Sequence, residues 1–338
     1  EFMMQSLKEV DRTYDRLGVK YELARGESYY NSRLKGVVDL LVAKGLARES
    51  EGALVVFLDE EKLPVAIVRK KDGGFNYMTT DLATIMSRVE EFKPHRILYL
   101  TDERQQLHFK QVFAIARRMG IDTPFEHSWF GLMRMPEGII ATRKGSAISL
   151  EKLLDEAEDR ATAVVREQSP DMPPERQKAV ARAVGIGAVK YADLSQNPQS
   201  EVIFTWDKAM ALNGNSAPYL QYAYARISSV RDKYRERFPE GNIESFPIVL
   251  TEPVEKALAV QVARFPETLI RAAEGCRPSV LCDYLYDLAQ VYSNYYQNVP
   301  FLKAPEGTRE SRVRLCGAIA GVLRKGLELL GIETPERI

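Results

Sequence analysis

Cysteine, histidine and any surplus of charge are all scarce in this chain of 338 residues. Its three cysteines (Cys276, Cys282 and Cys316) are odd in number, widely spaced and without a C-x-x-C pair. That excludes a disulfide framework and a cysteine zinc site, and predicts small apolar fillers in a reducing compartment. The three histidines, His95, His108 and His127, stand apart and show no metal-ligand spacing, so no metal site is expected. Nor does local context suggest a Ser-His-Asp or Cys-His order. Lys plus Arg and Asp plus Glu both total 47, which argues against a polyanion-coated surface and against an acidic tail. No apolar run is long enough to span a bilayer and no signal-peptide pattern opens the chain, so a cytoplasmic address without a membrane is expected. The opening "EFMM" resembles a cloning remnant, and residues 1–2 are set aside from fold reasoning.

The length suits two or three domains. Two helical patterns fill residues 5–45, and "ALVVFLDEE" and "LPVAIVRKKDGGFNYM" read as short strands with a Gly-Gly turn. The spacing of Leu82, Ile85, Met86 and Val89 predicts a helix over 80–92. "RILYLT" reads as a strand, "QLHFKQVFAIARRMG" as a helix ending at Gly120, and "FEHSWFGLMRM" as a further strand. This alternation predicts a partial Rossmann-like α/β parallel sheet, with too few strands for a complete doubly wound domain. Residues 149–168 and 174–194 then read as helices, and from Ala217 onward the pattern is that of an all-α bundle. The expected division is 3–148 for the α/β part, 149–215 for a connecting helical region and 216–338 for the bundle.

Few residues point to chemistry. The glycines of "GIGAVKYADL" (185–194) lie in a helical run with no preceding strand, which favours close helix packing over a phosphate loop. "ATRKGSAISL" (141–150) puts Thr142, Arg143, Lys144 and Gly145 on a loop before a helix. Two readings stay open there: a polyphosphate-holding loop, or a solvated basic turn with Ser149 as a helix N-cap. Tyr77 and Asp81 sit four apart where an extended run becomes helical. A plain helix-start carboxylate would need no phenol. Gln105, just past the next strand, lies where α/β sheets present ligand-binding residues, and would meet Asp81 from an adjacent strand end. A carboxylate, a phenol and an amide suit a planar, multi-donor cation better than an ammonium.

Taken in order, "ESYYNSRL", "VVFLDE", "KKDGGFNYMTTDLAT", "DERQQLHFKQVF", "ATRKG", "AVGIGAVKYADLSQN", "FTWDKAMALNGNSAPYLQYAYARI" and "GLELLGIETPERI" resemble arginyl-tRNA synthetase, a class I aminoacyl-tRNA synthetase, over essentially the whole chain. The resemblance implies that Tyr77, Asp81 and Gln105 bind the guanidinium of L-arginine, with Tyr77 also near the terminal adenosine of tRNA-Arg. It places His108 in the ATP/adenosine vicinity, and Thr142, Arg143, Lys144 and Gly145 on ATP phosphates accompanied by Mg²⁺, with no prosthetic group. The lysine that leads the K-M-S-K-S loop of class I enzymes is absent here, its first two positions being Ile139 and Ile140. The bundle would be the anticodon-binding domain. Its charge is even, 16 Lys/Arg against 15 Asp/Glu over 216–338. Arg226, Arg231 and Arg235 are nonetheless candidate tRNA contacts, against the plainer reading of a solvated face. Tyrosines 284, 286, 292, 295 and 296 include candidate base-stacking groups, though their period assigns most to the core.

The chain contains no H-x-G-H, the class I motif that stabilises charge on the α-phosphate. Loss of such preorganised electrostatics costs orders of magnitude in rate. The expectation is therefore the C-terminal portion of an arginine–tRNA ligase, inactive alone, with the complete enzyme monomeric and the cut sheet of the shorter chain inviting self-association. The competing reading is a shortened paralogue that binds tRNA or protein without catalysis.

Overall fold

In the computed structural model, residues 2–136, 138–139, 149–241 and 243–338 are described. By packing, the chain forms two compact units: Tyr21–Gly131, and a second made of residues up to Lys20 together with Leu132–Ile338. The helix α1 (Phe2–Leu17) opens the latter.

Within Tyr21–Gly131, a short turn of helix at Glu27–Tyr30 leads into α2 (Asn31–Ala43). Three strands follow, β1 (Arg48–Ser50), β2 (Ala53–Val56) and β3 (Ala66–Arg69), antiparallel in that order. Glu51 and Gly52, both at positive φ (48° and 82°), make the tight β1–β2 turn. After β3 the chain reverses through Lys70–Gly74, where Gly73 adopts φ 83° and Asp72 accepts the Gly74 amide at 2.9 Å, so that Phe75 pairs back with Arg69. This is the expected Gly-Gly turn.

Helix α3 (Tyr77–Phe92) starts three residues ahead of the sequence expectation. Asn76 anchors its first turn through the backbone, its carbonyl accepting from Thr80 at 3.2 Å, while the Thr79 hydroxyl donates to the Val68 carbonyl on β3. The strand β4 (Ile97–Asp102), α4 (Gln106–Arg118) and β5 (Phe125–Phe130) complete the unit as one parallel β–α–β crossover. The parallel sheet is thus a single pair of strands, and β3 belongs to the separate antiparallel sheet. Val38, Leu41, Leu82, Ile85, Val112 and Ile115 form the core between the layers.

The other unit resumes with β6 (Met133–Met135), which pairs antiparallel with β7 (Gly138–Ile139). The run read as one strand breaks at Gly131, so β5 and β6 lie in different sheets. Helices α5 (Leu150–Gln168) and α6 (Pro174–Leu194) follow within a residue of expectation. Ser149 caps α5 by accepting the Lys152 amide, and Pro174 opens α6 at a position whose N–H has no helical partner. The glycines of α6 serve packing: a Cβ on Gly185 would lie 2.5 Å from the Ala157 carbonyl oxygen of α5. The strand β8 (Val202–Ile203) joins β6 in parallel, and α7 (Trp206–Ala209) is a single turn.

The bundle is α8 (Ala217–Arg237), α9 (Pro253–Ala263), α10 (Phe265–Glu274), α11 (Pro278–Asn298) and α12 (Thr308–Leu329). Leu220, Ile227, Leu285, Leu288, Tyr292, Tyr295, Ile319 and Leu323 are fully buried in its core. Inside it, Glu255 accepts the Arg312 Nε–H at 2.8 Å and the Thr251 and Glu252 amides at 2.7 and 3.0 Å. At the far end Lys190 on α6 donates to the Gly331 carbonyl at 2.5 Å. Gly331 closes α12 and Gly18 closes α1, both at positive φ (68° and 64°), and a Cβ on either would approach this amine. A cation at helix C-termini is electrostatically favoured, while burial lowers the pKa of Lys190. Arg16 fastens α1 to α5 through Asp155 (2.8 Å) and Glu158 (2.9 Å).

Candidate functional site

Helix α3 places Tyr77 and Asp81 one turn apart, so both project from the same side of its first two turns. Tyr77 is 70% exposed, a phenol held out beside the carboxylate with no core role. Asp81 reaches the site from a helix, and its direct partner comes from the start of α4: His108 Nε2 lies 2.6 Å from Asp81 Oδ2. Both side chains keep just over a quarter of their surface. An ionised carboxylate only accepts hydrogen bonds, so Nε2 carries the proton of this contact. Gln105, exposed, is the residue on which α4 starts; it makes no hydrogen bond to Tyr77 or Asp81. The expected meeting of adjacent strand ends is replaced by two helix N-terminal ends, because β3 and β4 are not neighbours in one sheet.

Behind this pair lies an aromatic floor. The Phe109 ring sits 5.3 Å from that of His108 and 4.8 Å from that of His127, whose Nε2 is 2.8 Å from the Thr101 hydroxyl. Burial, and to a lesser degree the charge of His108, push the His127 pKa down. Arg88 stacks over Tyr99 at 5.4 Å, and burial raises that phenol to about 12. Asp102 at the end of β4 is bound to Arg104 at 2.6 Å, which holds its carboxyl below the usual range. Among the described residues no group of three acidic, His or Cys side chains is arranged to hold a metal ion, and no helix is long and apolar enough to cross a membrane. Thr142, Arg143, Lys144 and Gly145 lie outside the described residues.

On the bundle, Arg226, Arg231 and Arg235 share α8 but not their surroundings. Arg226 is held between two rings, 4.7 Å from Tyr222 and 4.8 Å from Tyr296. Arg231 lies against Gly317 of α12, and Arg235 pairs with Asp232 at 3.3 Å. Tyr284, Tyr292 and Tyr295 are core residues, as their period implied, while Tyr296 is 36% exposed. A cleft of about 320 Å³ opens beside Arg226, lined by Asn213, Tyr219, Tyr222 and Gln297. Tyr222 was not among the sequence candidates, although its i, i+4 spacing to Arg226 signals the stack.

A parallel β–α–β pair with charged and aromatic residues at its helix starts is followed by a helical bundle, and family matches place this order among the class I aminoacyl-tRNA synthetases. Residues 2–206 match the profile of the class I (R) tRNA synthetase catalytic domain, and residues 220–338 match the DALR anticodon-binding domain. The chain is 44% identical to the arginine–tRNA ligase of Fusobacterium nucleatum over 98% of its own length and 58% of that protein's. With the arginine–tRNA ligase of Erwinia tasmaniensis the identity is 47% over 96% and 58%. Among solved structures, Thermus thermophilus arginyl-tRNA synthetase superposes with a TM-score of 0.86 at 26% identity, over 97% of this chain and 62% of that one. The chain belongs to the arginyl-tRNA synthetase family, and it spans about three fifths of the length of the curated relatives it matches.

Proposed function

We propose that this chain carries the arginine side-chain pocket, the ATP-phosphate loop and the tRNA-reading bundle of an arginine–tRNA ligase. The observation that supports this reading is the Asp81 carboxylate: partly exposed, flanked by the free phenol of Tyr77, and set over an apolar floor. A guanidinium entering there exchanges water for a charged acceptor in a partly dry site, and its planar fork suits a carboxylate better than the point charge of lysine. Gln105 and the loop of Thr142, Arg143, Lys144 and Gly145 remain assigned to arginine and to ATP phosphates on family resemblance, with Mg²⁺ arriving on the ATP. In the complete reaction the arginine carboxylate attacks the α-phosphate, releasing pyrophosphate, and the tRNA 3′ end then takes the arginyl group with release of AMP. Because the 338 residues contain no H-x-G-H, arginine-dependent exchange of pyrophosphate into ATP by this chain is expected at background; clear exchange overturns that expectation.

The bundle, over 216–338, supplies the tRNA contact. An arginine stacked between Tyr222 and Tyr296 beside an open cleft offers flat faces and hydrogen-bond donors to unstacked bases. Titration at fixed near-physiological salt with arginine tRNA, and with a copy carrying a swapped anticodon, is expected to give a clear preference for the former. Tyr296→Ala should weaken binding of the arginine tRNA by about 1–3 kcal/mol, the scale of one base–aromatic stack. Equal affinity of both tRNAs, unchanged in Tyr296→Ala, would remove the bundle from recognition.

A further inference from the structure

The His108–Asp81 contact raises a question of charge. The single negative charge of Asp81 balances one positive charge, and the structure supplies a resident partner at 2.6 Å. A neutral imidazole donates one hydrogen bond from Nε2, fixes the carboxylate plane and leaves its negative charge and Oδ1 for a ligand. A protonated imidazole keeps the same hydrogen bond but cancels the charge. We propose that His108 is the positioning residue of the arginine pocket and its proton gate: imidazolium and ligand guanidinium alternate as the counter-ion of Asp81. Arginine binding then drives one proton from His108 to solvent. The proton leaves from Nδ1, since the Nε2 hydrogen stays on Asp81.

The surrounding groups permit this exchange. On α3 itself, Arg88 is committed to the face of Tyr99. At the far end of that helix, Glu90 and Glu91 are paired with Arg33 of α2 and with Arg25, at 2.7 and 2.6 Å. From β4 come Tyr99 and Thr101, and from β5 His127, held to Thr101 and with its own basicity lowered by burial. Between β4 and α4, Asp102 and Arg104 neutralise each other. The direct hydrogen-bond partner of Asp81 is thus a histidine, the side-chain type best suited to act as a charge switch. The proposal rests on the assignment of Asp81 to the arginine guanidinium, and deepens it by adding a pH dependence.

The test uses the 338-residue chain, checked for folding by circular dichroism, with L-arginine as the probe. Ring ¹⁵N signals of His108 are followed across pH 5.5–8 with and without arginine, for the unaltered protein, Asp81→Asn and His108→Gln. The unaltered protein should bind arginine about tenfold more weakly for each pH unit below the His108 titration, and arginine should shift that titration to lower pH. His108→Gln, whose amide donates from near the Nε2 position, should bind with one affinity across the range. Loss of binding in Asp81→Asn, alongside a pH-independent affinity in the unaltered protein, overturns the gate and leaves the pocket assignment intact. If Asp81→Asn binds as well as the unaltered protein, or if arginine moves no signal even at about tens of millimolar, the pocket assignment itself falls.

Discussion

Replacing Glu255 with alanine is expected to cost the helical bundle about 3–5 kcal/mol, the usual penalty for stranding one half of a buried ion pair. Glu255 is 1% exposed and Arg312 is 7% exposed. Their attraction is supported by the Thr251 and Glu252 amides on the second carboxylate oxygen and by the Tyr295 hydroxyl at 3.3 Å on the first. Without the carboxylate, the Arg312 guanidinium keeps the Pro300 carbonyl at 2.8 Å and a distant Glu252 at 3.7 Å. Neither replaces a charge at contact. Against a total stability of about 5–15 kcal/mol for a domain, the loss should appear as a large fall in the denaturant midpoint. A change under about 1 kcal/mol would mean that Arg312 escapes to water.

The same site sets an acid limit. Burial alone would raise the Glu255 pKa, but its backbone amides and Arg312 outweigh that and hold it below the ordinary carboxylate range. Glu310, bound to Arg309 and the Gly307 amide, is lowered likewise. A depressed folded pKa contributes stability that is complete above the unfolded value and is lost as pH falls through the folded one. The bundle should therefore weaken below the ordinary glutamate titration. Glu255→Ala should flatten that dependence.

Gly185→Ala carries the second large effect. Its Cβ would lie 2.5 Å from the Ala157 carbonyl oxygen and 2.8 Å from the Glu158 nitrogen, both main-chain atoms of α5 that no rotamer change can clear. Overpacking of this kind costs about 1–3 kcal/mol or more, beyond the roughly 1 kcal/mol that alanine returns through helix propensity. Gly326→Ala, whose Cβ would meet the buried Leu285 methyls, should cost less because the obstacle is a side chain. Gly321→Ala has nothing within 4 Å and should be neutral or stabilising. Chemical unfolding of the three variants gives the order; Gly185→Ala ranking with Gly321→Ala would mean that α5 and α6 are not held at this separation.

The role of Gly185 was legible from its helical run without a preceding strand, as were the bounds of α5 and α6 and the all-α character of the chain from Ala217 onward. The start of α3 was not, because Thr79 binds a carbonyl of β3 that lies eleven residues away in sequence. The interruption at Gly131 was hidden by apolar residues on both sides of it. Tyr77 and Asp81 could be singled out from type and spacing, but the His108–Asp81 contact joins helices 27 residues apart and leaves no local periodicity. Arg226, Arg231 and Arg235 looked alike in the sequence; only their neighbours distinguish a stacked, a packed and a paired arginine.

The Lys190–Gly331 hydrogen bond, together with the Arg16 ion pairs that fasten α1 to α5, has a mechanical consequence. The outer unit is closed by segments from both sides of Tyr21–Gly131, so that unit is an insertion within another fold. Tension applied between residues 2 and 338 would load α1, α6 and the end of α12 first. The inserted unit would bear none of it until α1 had come away from α5, and a pulling experiment should record the surrounding unit yielding before Tyr21–Gly131 is stretched.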